Sequence, residues 1–405
     1  VQRNEIIRLL ENPIAKAFLK AHAHANAADL ALSMNRSSDF DMKLATQILH
    51  LYHKSSQKLP TWTENMLAMD KRSYEQSSAE AVAKFRSTLI KGDSLLDVTS
   101  GLGVDSTFLS KSFKNVIAID RNPDLVEFAA FNDQKLGIQN IQRVHANATD
   151  WPGIISQSKQ SNLPIDTVFV DPDRRTLEGK RIQGLEQSEP PILEWLPDLL
   201  NATKRVFVKC SPLLDIKAAL RYSSALKALY VIALNDEVKE VLLEFDRGST
   251  NSNTEIHAID IGRPQNHLKA SDLSESQMNF GHDQGYLYEP SAAIRKAELA
   301  KNYAASRGLC QINSKSDYYL SNSPIDNWCG RQWFVHEHFA ISWSALKKNL
   351  KNKGITKAHI LRKNFPDSAQ LIRKRLNLKE GGEHYLVFAK TKEGKGWCYF
   401  CTRKE

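Results

Sequence analysis

A chain of 405 residues is too long for one ordinary hydrophobic core, so two or three domains are expected. With 41% hydrophobic and 25% charged residues it reads as a globular protein with no membrane span, and five scattered cysteines argue for free thiols in a reducing cytoplasm. The net charge of +9 is localised, because residues 341–405 carry 16 Lys/Arg against 5 Asp/Glu, a net of +11 that leaves −2 for the rest. A charge so placed is the footprint of a polyanion binder, with a merely solvated basic face as the alternative.

The first elements are helical. Leu9, Leu10, Ile14, Phe18 and Leu19 recur at helical spacing, as do Leu44, Ile48, Leu49 and Tyr52, and Pro60 and Trp62 mark a break. Glu5, Arg8, Glu11 and Lys16 interrupt any apolar leader. His22 and His24 stand two apart and do not share a helix face, so they read as surface residues and not as metal ligands.

From Ser94 the pattern changes to short apolar strands separated by helices. Strands are expected at Ser94–Val98, Asn115–Ile119, Ile141–His145, Asp166–Val170, Arg205–Lys209 and Leu229–Leu234. Helical patterns fall between them at Asp105–Phe113, Pro123–Leu136, Pro190–Leu200 and Leu214–Leu226. The alternation predicts an α/β, Rossmann-like domain with a mainly parallel sheet, spanning about 75–262 after an N-terminal helical region at 1–74. Val241–Phe245 and Glu255–Ile261 read as a hairpin at the sheet edge, joined through the turn-rich 248–253.

A polar stretch at 262–285 reads as a linker. A linker and small unit at 263–340 then precede a basic α+β unit at 341–405, with a strand at Lys357–Arg362, a helix at Ser368–Leu376, and strands at Tyr385–Lys390 and Gly396–Thr402. Cys398 and Cys401 form a CxxC without a second CxxC or paired histidines, and their alternation with Trp397, Tyr399 and Phe400 reads better as a strand than as a zinc or redox site. No metal site is expected.

The chemistry concentrates at strand ends. Leu95-Leu96-Asp97-Val98-Thr99-Ser100-Gly101-Leu102-Gly103-Val104-Asp105 is a strand, a glycine-bearing turn and a helix start. Such a turn lets the backbone approach a ligand, and the helix N-terminus favours electronegative groups. Asp120 ends the second strand, placed to accept ribose hydroxyls, and is followed by Arg121. Asn147 and Ala148 follow the third strand, and Asp171 follows the fourth, so polar groups stand on four successive strand ends where such sheets bind ligands. A nicotinamide enzyme is the competing reading, but Ser106 stands where the third glycine of G-x-G-x-x-G would fall.

DVTSGLGVD resembles motif I of class I S-adenosylmethionine-dependent methyltransferases, with Thr99 in place of a common glycine. AIDRNP is similar to their ribose-binding motif and ANATDW to the adenine-side motif, with Asn147 where Asp is usual. The resemblance implies a seven-stranded sheet, S-adenosylmethionine as cofactor, and a binding set of Asp97, Thr99, Gly101, Gly103, Asp105, Asp120, Arg121, Asn147, Ala148 and Asp171.

Phe169-Val170-Asp171-Pro172-Asp173-Arg174-Arg175 sits where amine methyltransferases carry Asp/Asn-Pro-Pro-aromatic. A carboxylate and a carbonyl that accept the N–H groups of an amine localise its lone pair, so Asp171, Pro172, Asp173 and Arg174 are the catalytic candidates. Asp173 replaces the second proline and Arg174 the aromatic. The arginines then pair with a phosphate, stack on a base, or form a local ion-pair network.

Lys209-Cys210-Ser211-Pro212 is also similar to the SCNP-type segment of RNA pyrimidine C5 methyltransferases, where a thiolate attacks C6 and where a DPPR-type motif is also found. In that reading Lys209 lowers the Cys210 thiol pKa; in the other, Cys210 is a small buried hydrophobe. Tyr286-Leu287-Tyr288-Glu289-Pro290-Ser291, Arg362-Lys363-Asn364-Phe365-Pro366 and Leu376–Gly382 extend the resemblance to a bacterial methyltransferase group with a ferredoxin-like unit and a C-terminal THUMP-like domain. That resemblance implies methyl transfer to a base of tRNA or rRNA. RNA would be held through residues 341–405, with Lys347, Lys348, Arg362, Lys363, Arg373, Lys374 and Arg375 on its phosphates. A small-molecule or protein methyltransferase, and an assembly factor without turnover, stay open as alternatives.

Overall fold

The computed structural model describes residues 3–23, 39–172, 184–250, 254–262, 267–274, 277–281 and 285–404. The chain forms two compact units, residues 1–229 with 240–254, and residues 230–239 with 255–405. No helix among the described residues is long and apolar enough to cross a membrane.

The first unit is a parallel sheet closed by an antiparallel hairpin. Its strands are β1 (Ser94–Asp97), β2 (Asn115–Asp120), β3 (Ile141–His145), β4 (Thr167–Val170), β5 (Arg205–Cys210), the start of β6 (Leu226–Leu234) and most of β7 (Glu237–Asp246), in the order β3-β2-β1-β4-β5-β7-β6. β1 to β5 are parallel, and β7 runs antiparallel to β5. The central strands β1 and β4 are buried along their whole length, as strands covered on both faces must be. The order reverses at β1 and β4, which makes the crevice at their carboxyl ends the place to look for a ligand.

Two expectations fail here for local reasons. Val241–Phe245 does not pair with Glu255–Ile261; β7 lies between β5 and β6 in the sheet. Asn235 and Asp236 both take the left-handed conformation (φ 54° and 65°), which makes a two-residue turn of the hairpin type between β6 and β7. The helix expected over Leu214–Leu226 is only Ile216–Ala219, capped by Asp215, and Leu226 already begins β6.

The N-terminal helices Arg3–Glu11, Pro13–Ala21 and Met42–Ser55 share one core with the glycine-turn helix Val104–Leu109 and the helix Pro123–Leu136. Asn132, buried, seals this packing by accepting from Ala68 N at 2.7 Å and donating to Ala68 O at 2.9 Å.

In the second unit the far half of β6 is followed in its sheet by β8 (Glu255–Ile261) and β9 (His267–Lys269), which pair antiparallel. A separate eight-stranded sheet follows: β10 (Asn279–Phe280), β11 (Tyr286–Pro290), β12 (Cys310–Gln311), β13 (Tyr319–Ser321), β14 (Gly330–Ala340), β15 (His359–Lys363), β16 (His384–Lys390) and β17 (Gly396–Lys404). Its order is β10-β12-β13-β11-β14-β17-β16-β15. The boundary expected at 340/341 falls inside this one sheet, since β14 pairs with β11 on one side and β17 on the other. Helices Trp343–Asn352 and Ala369–Leu376 cover one face by packing Leu346, Leu350, Ile372 and Leu376 into a core with Phe388 of β16. Cys398 lies in that covered core and Cys401 in the core of the opposite face, so the strand directs the two thiols apart.

Candidate active site at the carboxyl edge of the first sheet

The glycine turn is built by carboxylates. Asp97 is buried at the end of β1, accepting from Thr99 N at 3.1 Å and Ser106 Oγ at 2.8 Å. Burial pushes its carboxyl up to about 7, against the pull of those two donors. Asp120, ending β2, accepts from Gly101 N and Asn122 N at 2.8 Å each. Asp97 and Asp120 therefore both brace the loop that carries Gly101.

The two glycines play different parts. Both have positive φ, 54° at Gly101 and 86° at Gly103. A Cβ on Gly103 would lie 2.8 Å from the Arg143 guanidinium, so that glycine makes room for protein. A Cβ on Gly101 meets nothing within 4 Å, and the neighbouring Ser100 Oγ is buried without a hydrogen-bond partner among the described residues. An open side beside an orphaned buried hydroxyl fits a polar ligand lying across Gly101.

Thr99, which stands in place of a common glycine, accepts from Asp171 N at 2.7 Å and so ties the β1 turn to the end of β4. Asn147 and Ala148 follow β3, where Asn147 N donates to Asp150 at 2.9 Å. Arg121 pairs with Glu189 at the surface, 2.9 Å apart. Pro172 is buried beside Asp171, whereas Asp173, Arg174 and Arg175 lie outside the described residues.

Behind Asp171 lies an ionic network that sequence reasoning missed. The buried Lys209 ammonium donates to Asp171 Oδ2 and, at 2.9 Å, to Ser78 Oγ, with Asp105 at 3.7 Å. Asp105 also accepts from Arg86, which is fully buried and forks onto Glu240 in β7. Two cations thus face three carboxylates. Burial alone would lift the Asp105 carboxyl, but Arg86 and Lys209 outweigh it and hold it below its usual value. Burial alone would lower Lys209, but Asp171 and Asp105 outweigh that and raise it, so the ammonium stays charged. The sequence signals were faint: an Arg on the core face of the helix Glu80–Leu89, and a Glu before the apolar run 241–243.

Lys209 is thereby committed to Asp171, not to the neighbouring thiol. Cys210 is 2% exposed, with Sγ directed at Val208 O, 3.7 Å away. That environment is the small buried hydrophobe of the two readings.

The strand order, the braced glycine turn and the acidic β4 end together define a methyltransferase-class domain of Rossmann-like fold. Comparison with known proteins agrees. Residues 92–177 match the family model for RNA cap guanine-N2 methyltransferases, and residues 330–403 match the THUMP domain-like model. A crystal structure of a Porphyromonas gingivalis protein, provisionally named a methyltransferase, covers 99% of both chains at TM-score 0.84 and 24% identity, which shows the fold. An uncharacterised S-adenosylmethionine-dependent methyltransferase of Mycobacterium tuberculosis is 24% identical over 80% of this chain and 84% of its own. An uncharacterised RNA methyltransferase of Mycoplasma mobile is 33% identical over 26% of this chain, and a tRNA (uracil(54)-C(5))-methyltransferase of Pyrococcus abyssi is 28% identical over 34%. The aligned stretches span 27% and 29% of those two relatives. The chain thus joins a domain of the S-adenosylmethionine-dependent methyltransferase class to a THUMP-like domain.

Proposed function

We propose that this protein is a cytoplasmic enzyme that methylates a base of tRNA or rRNA, with S-adenosylmethionine as donor. The observation that carries the reading is the convergence of Thr99, Gly101, Asp120 and Asp171 at one sheet edge, with Asp120 on Gly101 N at 2.8 Å and Thr99 on Asp171 N at 2.7 Å. When bound, the donor supplies an electrophilic methyl group on a sulfonium. Gly101 and Ser100 would lie against it, Asp120 would receive its ribose hydroxyls, and Asn147 and Ala148 would border its base.

The acceptor is handled by Asp171 and Pro172. A carboxylate accepting an amine N–H draws the lone pair out of conjugation and takes up the proton released. The Lys209 ammonium stands on Asp171 Oδ2 and so holds the carboxylate in place for this. Pro172 fixes the chain direction so that a backbone carbonyl accepts the second N–H. Asp173 and Arg174 complete the proposed catalytic set. The burial of Cys210 argues for this lone-pair chemistry over thiolate attack.

The proposed RNA partner rests on the THUMP-like match and the +11 charge of residues 341–405. The test is mass spectrometry of nucleosides in RNA from deletion and wild-type cells, beside calorimetry of S-adenosylmethionine binding. A methylated nucleoside missing from the deletion strain, and present again with the intact gene but not with Asp171→Ala, is expected. Unchanged RNA together with a methylated metabolite or protein would sink the RNA substrate alone. Absence of cofactor binding would sink the whole reading.

A further inference from the structure

The second sheet carries an aromatic row that runs out of its core, from the buried Phe400 to the exposed Phe334 and His336, and that the proposed methyl transfer does not use. Tyr286 of β11 stands 5.5 Å from Phe334 of β14, ring centre to ring centre, and Phe334 stands 5.0 Å from His336. Phe400 of β17 lies 5.6 Å from His336, and His384 of β16 lies 5.0 Å from Phe400. The row crosses four adjacent strands.

A bulge makes it possible. The pairing of β14 with β17 slips between Val335 and Glu337, leaving His336 as the extra residue, its Nε2 at 2.9 Å from Thr402 Oγ1. The slip re-aims the strand, so that Phe334, His336 and Glu337 present on one face. Helices Trp343–Asn352 and Ala369–Leu376 cover the Phe388 end of this face, whereas Phe334 is 41% exposed and His336 is exposed. Lys404 lies 5.7 Å from the Tyr286 ring, and Lys353, paired with Glu337 at 2.6 Å, lies 5.6 Å from Phe400.

We infer that the exposed end of this row, Tyr286, Phe334 and His336, is a stacking platform for the unpaired bases of single-stranded RNA, with Phe334 as its principal ring. The inference rests on the RNA reading above and says which part of RNA this face takes. Heterocyclic and hydroxylated rings alternate with Phe here, so the face is not the smooth apolar patch that a protein partner buries. Flat rings suit bases, each of which has a π face, and the flanking lysines suit the phosphates joining them. The charge of the surrounding segment has the complementary sign.

The test is fluorescence anisotropy of the full chain with a labelled 12-nucleotide oligouridine and with an RNA duplex of equal length. Phe334→Ala is expected to weaken oligouridine binding about ten-fold, the scale of one lost stack. Phe334→Trp is expected to restore it, and duplex affinity to stay unchanged in both. Unaltered S-adenosylhomocysteine affinity in the same variants excludes general misfolding. Oligouridine affinity indifferent to Phe334→Ala overturns the platform, as does an equal loss for the duplex. A shift in oligomeric state by light scattering, with RNA affinity unchanged, also overturns it and makes the face a self-association surface. The assay contains no methyl donor, so failure of the methylation reading in the nucleoside experiment leaves this result standing on its own.

Discussion

At the residue scale, the charged groups of the first unit divide between bracing and chemistry. Asp97 belongs to the bracing set, and its carboxyl carries a pH signature. Its unfolded value is near 4 and its folded value about 7, so the fold binds its proton more tightly than the unfolded chain does. The stability this gives is fully present below pH 4 and is lost as pH rises through 7, on the order of 4 kcal/mol across that window. Asp97→Asn has no such loss, and urea midpoints of variant and wild type should diverge in the variant's favour between pH 5 and pH 8. A constant gap would contradict this account. Lys209 behaves oppositely, because removing it takes a buried ammonium away from Asp171 and Asp105 and leaves Arg86 as the cation facing Asp105. Lys209→Met should cost about 3–5 kcal/mol by thermal or chemical denaturation. Lys209→Arg should recover most of that stability, yet still slow methylation, because the planar fork does not reproduce the ammonium's place on Asp171. The strand-end residues were legible because polar groups after apolar strands stand out. Arg86 and Glu240 were not, since their partners lie 19 and 154 residues away in sequence.

At the scale of elements, hydrophobic periodicity located the strands of the first sheet through β8 but none of β9 to β14, whereas the C-terminal strand–helix–strand–strand run matches β15, the helix Ala369–Leu376, β16 and β17 within two residues at every start and end. What periodicity does not encode is which strand pairs with which. The polar run 248–253 looks like a hairpin loop, but the two left-handed residues Asn235 and Asp236 close the hairpin instead. Asp236 does more than turn the chain. It accepts from Ala292 N at 2.7 Å and from Arg331 at 2.8 Å. Asp236→Ala leaves both donors without that acceptor and should cost about 1–3 kcal/mol. Asn235→Gly keeps the turn and should be neutral. A melting-temperature comparison of the two variants separates the roles, and equal losses would mean that the turn geometry alone matters.

For the whole molecule, the sequence-level charge asymmetry survives as a surface property, though not every basic residue is available. Lys363 lies 3.2 Å from Glu289, Arg373 is paired with Glu380 and Arg375 with Asp367, while Arg362 donates to Phe365 O at 3.1 Å. Lys347, Lys348 and Lys374 are exposed on the two covering helices. RNA affinity should therefore fall log-linearly with salt, and Lys347→Gln with Lys348→Gln should lower the slope by about two. A slope unchanged by the double substitution would move the phosphate contacts elsewhere.

The hairpin of β6 and β7 has one more consequence. Residues 230–239 group with the second unit although both neighbouring stretches of chain group with the first. The polypeptide therefore crosses between units three times, and no single cut separates them. A fragment starting at residue 255 would hold every strand of the THUMP-like sheet and still lack Asp236. Domain-swap experiments should therefore carry 230–239 along with 255–405.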